Sequence, residues 1–169
     1  NGAWSRDGRS IYFRSNRQGA IRVWRIGVDR RDEPVPATVG ESSEAFESLD
    51  GRVLYFTRHA EGGLWQKPLP DGRETLLVPD WHVRDGFWDV TREGIIILDR
   101  EVPGSTIPQP LVQFSLATRS LVPLGDLPVI VSLSRGGISV SPDGSLLWSQ
   151  TENPSNDLMV VDQWRPTRR

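Results

Sequence analysis

Ile138-Ser139-Val140-Ser141-Pro142-Asp143-Gly144-Ser145-Leu146-Leu147-Trp148 is the stretch on which the reading of this chain turns. Apolar residues flank a polar centre on both sides. Pro fixes φ for the second position of a type I turn, Ser and Asp suit its polar corners, and Gly takes the left-handed exit. A short strand, a tight turn and a second short strand make a hairpin. Weaker copies recur upstream, as Ala3-Trp4-Ser5-Arg6-Asp7-Gly8, as Ser48-Leu49-Asp50-Gly51, and in a turn that ends at Gly94.

The turn glycines Gly8, Gly51, Gly94 and Gly144 are separated by 43, 43 and 50 residues. That period is close to the roughly 40–45 residues of one four-stranded propeller blade. With strands of about five residues each, it favours a propeller over a sandwich. The chain is therefore expected to be all-β: a β-propeller of four-stranded antiparallel blades, with about four blades in a single region, 1–169. The repeats fall at about 1–40, 41–80, 81–126 and 127–165.

Repeat one reads as Ala3-Trp4-Ser5, Ser10 to Arg14, Ile21 to Ile26 and an outer strand near Val35–Val39. Its third strand alternates apolar and charged residues, as a half-buried strand does. Pro34 and Pro36 suit an edge, which can spare backbone donors. Repeat two follows with Glu44-Ala45-Phe46, Val53 to Thr57, Gly63 to Lys67 and Thr75 to Val78. Trp24 and Trp65 hold equivalent places and are expected to pack between blades. Repeat three supplies Phe87 to Val90, Ile95 to Leu98, Leu111 to Phe114 and Ser120 to Leu124. Repeat four gives Leu146 to Ser149 and Leu158 to Val161, with no fourth strand after them. A strand supplied from upstream would complete that blade and cover its edge. The chain reads as a piece of a longer protein, and three arrangements stay open: half a ring, an open arc, or a ring completed by a second copy.

Composition narrows the function classes. A formal charge of −2 gives no bulk attraction to nucleic acid or to anionic membrane. Lys67 is the only lysine, so positive charge is almost all arginine, a bias expected from a GC-rich genome. Without cysteine there are neither disulfides nor thiolate chemistry. No apolar run approaches a membrane span; Ile95-Ile96-Ile97-Leu98 is strand-sized.

The Trp-Ser-x-Asp-Gly turn followed by an aliphatic-aromatic strand, at Trp4–Phe13 and in degenerate form at Ser141–Trp148, resembles the TolB-like, WD-repeat-like bacterial propellers. Phe87 to Ile95 is similar to a blade of a group in which such a propeller follows a winged-helix DNA-binding domain. Ser141 to Gly144, Asn156 to Val161 and Trp164-Arg165 are similar to the C-terminus of that group. Ile97 departs from it where an aromatic is usual, and Ser48-Leu49-Asp50 replaces Ser-Pro-Asp. The resemblance implies the C-terminal sensory or interaction propeller of a transcriptional-regulator-like or TolB-like protein, with periplasmic or extracytoplasmic placement favoured over cytoplasmic. It leaves a second possibility, the accessory propeller of a serine-peptidase-like hydrolase whose catalytic domain is separate.

Chemistry-bearing motifs are few. His59 and His82 have no histidine or cysteine at ligand spacing, so no zinc site is expected. No Gly-x-Ser-x-Gly elbow is present. The Asp-Gly pairs at Asp7, Asp50, Asp71 and Asp143 are single turn carboxylates rather than a calcium loop. There is no phosphate-cradling glycine loop, and Asn153-Pro154-Ser155 cannot accept a glycan. The chain is thus expected not to be an enzyme, with no cofactor and no metal. Binding then falls to loops at one mouth of the channel, those joining second and third strands and those entering each blade. They carry Arg14, Asn16, Arg58 and Arg100, and the Asp80–Asp85 loop carries Trp81, His82 and Arg84. A flat indole beside donors suits a contact hot spot; equally, Trp81 can fold back over a blade edge. The expected partner is a protein or small ligand, with no direct nucleic-acid binding, and with self-association as a way to complete the propeller.

Overall fold

The computed structural model describes residues 2–29, 32–58, 60–79, 85–98, 109–127, 137–141, 145–152 and 155–161. These hold strands and turns and no helix. Two compact units, Asn1–Asp85 and Gly86–Arg169, divide the chain.

The first unit contains two antiparallel four-stranded sheets. In sheet one the spatial order is that of the sequence: β1 (Gly2–Trp4), β2 (Ser10–Ser15), β3 (Arg22–Gly27) and β4 (Val35–Pro36). Sheet two repeats the plan with β5 (Ala45–Glu47), β6 (Val53–Thr57), β7 (Leu64–Pro68) and β8 (Thr75–Val78). The second unit has β9 (Trp88–Val90), β10 (Gly94–Leu98), β11 (Gln109–Ser115) and β12 (Ser120–Leu127) in one sheet, and β13 (Gly137–Val140), β14 (Leu146–Glu152) and β15 (Ser155–Val161) in another.

The outer strand of sheet one is shorter than the expected Val35–Val39 for a chemical reason. Past Pro36 the chain curls, and the Ala37 and Thr38 amides both reach the Val23 carbonyl, at 2.9 and 3.4 Å. The Val23 amide donates instead to the hydroxyls of Thr38 and Ser42, at 3.2 and 3.0 Å. Side chains replace the ladder that proline interrupts.

The turns between the first and second strands of the sheets are closed by a side chain as well as by backbone. Ser5 Oγ donates to Asp7 Oδ1 at 2.7 Å, and Asp7 accepts the Arg9 amide at 2.9 Å. Ser48 and Asp50 repeat this, with Ser48 Oγ to Asp50 Oδ1 at 2.6 Å and the Arg52 amide to Asp50 at 3.1 Å. These bonds, the serine hydroxyl first, hold both aspartate carboxyls below the usual carboxylate range. Gly8 and Gly51 lie in the left-handed region, at φ of +69° and +70°. Gly94 serves differently: it starts β10, and a Cβ there would run into the Phe114 carbonyl oxygen. In the fourth sheet Ser141 Oγ accepts the Ser145 amide at 3.1 Å, while Pro142 to Gly144 lie outside the described residues.

In each unit a core forms between sheets. Tyr12, Val23 and Ala37 of sheet one and its exit meet Ala45, Leu54 and Phe56 of sheet two, with Trp65 and Leu69 alongside. Phe87, Leu98, Leu111 and Leu127 meet Ile138 and Leu146. The first strands are neighbours, β1 of β5 and β9 of β13. A buried carboxylate ties each pair. Glu47 on β5 accepts from the Tyr12 hydroxyl and the Arg6 amide, both at 2.7 Å, and the Arg6 guanidinium reaches the Glu47 carbonyl at 3.2 Å. Asp89 on β9 accepts from the Val140 amide at 2.7 Å and Ser139 Oγ at 3.0 Å. Burial, and then the bond to Glu47, pushes the Tyr12 hydroxyl pKa well above its ordinary value.

Candidate functional site

Within the first unit, the ends of β2 and β6 and the approach to β5 come together around one carboxylate. Arg14 leaves the end of β2, Ser43 stands just before β5, Thr57 closes β6, and all three address Asp85. Arg14 Nη1 donates to Asp85 Oδ2 at 3.2 Å and to Ser43 Oγ at 2.9 Å. Ser43 Oγ itself donates to Asp85 Oδ2. Thr57 Oγ1 donates to Asp85 Oδ1 at 3.2 Å. The Arg14 side chain keeps 49% of its surface exposed while Asp85 keeps 18%. The guanidinium is therefore held from one side and open on the other. A planar donor fork held this way suits a carboxylate or carbonyl brought from solution.

A cleft beside it is lined by Tyr12, Phe13, Arg14, Ser43, Glu44 and Phe46 and has about 10 Å³ of internal space, room for about one water molecule. Small-molecule sites measure roughly 300–1,000 Å³. The cleft has no room for a molecule of that size.

Of the residues expected at the loops, Arg14 belongs to this cluster. Asn16 is exposed in the β2–β3 turn, where its carbonyl accepts the Gly19 amide at 2.9 Å. Arg58 is committed elsewhere. It is 9% exposed, pairs with Glu61 at 3.0 Å and with Glu74, and stacks 3.9 Å from the Trp65 ring centroid. Trp81, His82, Arg84 and Arg100 lie outside the described residues, as does His59. Ser43 and Thr57 were not singled out by the sequence; the signal available was a polar run, Glu41 to Glu44, immediately before an inner strand.

Trp24 and Trp65 share a local design. Each faces the aromatic of the preceding strand, Phe13 and Phe56, and each donates Nε1 to a backbone carbonyl between those two strands or at their end, of Ser15 at 3.1 Å and of Gly62 at 3.0 Å. An arginine covers each ring, Arg17 at 5.0 Å and Arg58 at 3.9 Å. Trp65 packs on the core between the two sheets. Among the described residues no group of three side chains could hold a metal ion, and no helix is long and apolar enough to cross a membrane.

No protein-family model matches the chain, and no curated protein matches it in sequence. Solved structures do. TolB from Acinetobacter baumannii superposes with a TM-score of 0.64 at 16% identity, over 94% of this chain and 39% of that one. Oligogalacturonate lyase from Vibrio parahaemolyticus gives 0.61 at 16% identity, over 89% and 45%. The periplasmic gluconolactonase of Pseudomonas aeruginosa gives 0.50 at 16% identity, over 95% and 52%. The fold is thus that of a TolB-like β-propeller, present in part, with four-stranded antiparallel blades. The chain spans about two fifths to one half of the length of these structures.

The same likenesses correct one expectation. The lack of a nucleophile elbow and of a metal-ligand set in the sequence predicts a chain that is not an enzyme. Oligogalacturonate lyase and a gluconolactonase share its fold, so absence of those two signatures does not set catalysis aside. The fold carries enzymes and non-enzymes alike.

Proposed function

We propose that this chain is the binding part of a larger TolB-like or transcriptional-regulator-like protein, and that it engages a partner through the loop ends gathered at Asp85. The observation that carries this reading is the half-exposed Arg14 guanidinium, anchored by Ser43 and Asp85 and open to solvent. The neighbouring cleft is too small for a drug-sized ligand, which favours a protein surface presenting a carboxylate or backbone carbonyls. The regulator context rests on the blade Phe87 to Ile95 and on the ending Ser141 to Arg165; a winged helix encoded upstream in the same reading frame supports it, and its absence refutes it. Extracytoplasmic placement is part of the same proposal, supported by one structural neighbour being periplasmic.

The test compares the immobilised chain with its Arg14→Ala variant for protein captured from extracts of the native cell. Losing a charge-assisted hydrogen-bond donor at a contact costs about 1.5–3 kcal/mol, or roughly 10–100-fold in affinity. A protein retained by the wild type and lost from the variant, with the unfolding midpoint unchanged, is the expected result. Equal retention by both overturns the assignment of Arg14.

A further inference from the structure

Arg58 follows Thr57 at the end of β6, and the two side chains serve different neighbours. Thr57 Oγ1 donates to Asp85, while the Arg58 guanidinium lies 3.9 Å from the Trp65 ring centroid. Arg58 and Glu74 have side chains only 9% exposed, and Arg58 Nη2 donates to Glu74 Oε2. Glu61 accepts from Nη1 at 3.0 Å. Nε is buried and has no hydrogen-bond partner among the described residues. A buried ion pair with an unmatched donor adds little to stability beyond apolar packing of the same volume. What it can supply is a fixed position, for itself and for whatever rests on it.

Residues 37–44 run as a strap from sheet one to sheet two. At one end Thr38 Oγ1 accepts the Val23 amide at 3.2 Å. At the other the Ser43 amide donates to the Thr57 carbonyl at 3.1 Å, and the Glu44 amide to Thr57 Oγ1 at 3.2 Å. Between these ties the strap rests on Arg58 and Glu74. The Val39 amide donates to Glu74 Oε1 at 2.7 Å. Gly40 lies so close to the guanidinium that a Cβ there would stand 3.1 Å from Nη2 and 3.2 Å from Cζ. An arginine head ordinarily swings aside from such a contact; this one is closed in by an indole and two carboxylates. Three residues past Gly40 stands Ser43, whose hydroxyl accepts from Arg14 and donates to Asp85.

We infer that Arg58 and Glu74 are positioning residues for the Arg14 site. They set the place of the strap at Val39 and Gly40, and thereby the place of the Ser43 hydroxyl that anchors the Arg14 guanidinium. Arg58, expected from its loop to touch a partner, acts on the site through Ser43 instead. The inference rests on the reading of Arg14 as a contact residue and adds what holds that contact in shape. Without Ser43 in place, Arg14 keeps only its bond to Asp85 at 3.2 Å, and its planar fork is free to turn.

Nuclear magnetic resonance of the arginine Nε–H groups in the nitrogen-15-labelled chain reads Arg14 directly. Arg14→Lys identifies its signal, and Ser43→Ala gives the position of that signal when the guanidinium is unanchored. Glu74→Ala removes the support under Val39. Gly40→Ala pushes the strap off Arg58 without deleting a hydrogen bond, and it keeps the test open if Glu74→Ala fails to fold. Each should move the Arg14 signal towards its Ser43→Ala position and leave the signal of Arg9, exposed at the other end of β2, where wild type has it. Gly8→Ala, which strains that other end, should leave Arg14 unmoved. An Arg14 signal that keeps its wild-type position in the folded variants overturns the inference, and so does one that moves as far in Gly8→Ala. No partner enters this measurement, so it stands apart from the capture experiment. A shift with no protein captured removes the binding reading and keeps the positioning; capture through Arg14 with no shift does the reverse.

Discussion

Cutting the bond between Tyr12 and Glu47 tests how the first two blades are joined. The two side chains come from strands 35 residues apart, both are buried, and the hydroxyl-carboxylate distance is 2.7 Å. Tyr12→Phe removes one hydrogen bond to a charged acceptor and leaves Glu47 with the Arg6 amide, for a loss of about 1.5–3 kcal/mol. Glu47→Ala is harsher. It strands the Tyr12 hydroxyl and the Arg6 amide together, and the expected cost is about 3–5 kcal/mol. In the double variant the phenyl ring that replaces the phenol no longer needs an acceptor, so the combined cost should fall short of the sum by on the order of 1.5 kcal/mol. Urea unfolding of the four proteins, followed by tryptophan fluorescence at neutral pH, gives that coupling directly. Strict additivity, to within about 0.5 kcal/mol, would refute the reasoning and reduce the pair to packing.

Alkaline pH reports on the same residue. Because burial and Glu47 raise the Tyr12 pKa above its ordinary value of 10.0, the folded chain keeps a proton that the unfolded chain releases. The stabilisation is intact below about pH 10 and is lost as pH rises through the folded value. The unfolding midpoint should therefore fall above about pH 10, and less steeply in Tyr12→Phe; equal slopes would count against this. A third expectation concerns the glycines. Gly94→Ala should cost about 3 kcal/mol or more, because the new methyl meets the backbone of Phe114 across the ladder. Gly8→Ala, where nothing stands near the added carbon and only the left-handed φ is strained, should cost about 1 kcal/mol. Thermal unfolding that ranks the two the other way would show that the close approach is relieved elsewhere.

The strands and turns were readable because their signals are local. Ser, Asp and Gly at fixed offsets make a turn wherever they stand, and period-two alternation reports which face is covered. The pairing of Ser5 with Asp7 and of Ser48 with Asp50 follows from that pattern, and so does the even replacement of Pro by Leu49. What escaped the sequence depends on partners far along the chain. Glu47 sits where sheet one carries Trp4, and nothing near it indicates that a tyrosine 35 residues upstream will claim it. Arg58 looks like any loop arginine until Glu74, 16 residues on, and the Trp65 ring are folded around it. Asp85 ends a loop whose sequence signal is its tryptophan, and it becomes the common acceptor for Arg14, Ser43 and Thr57 only once three strand ends are in place. Motifs alone do not decide catalysis either, because oligogalacturonate lyase and a gluconolactonase share this fold.

The self-sufficient turn has a consequence for how such a chain is assembled and diversified. Ser5 and Asp7 close their hairpin without help from the residue between them, as Ser48 and Asp50 do around Leu49. That middle position is a spare. In the second copy it is an exposed leucine with no bond to make. In the first it is Arg6, whose amide and guanidinium cross to the Glu47 carboxylate and carbonyl of the next sheet. A duplicated unit that folds at its own corner can acquire a fastening to its neighbour, or do without one, by a single substitution at a site that its own geometry does not use.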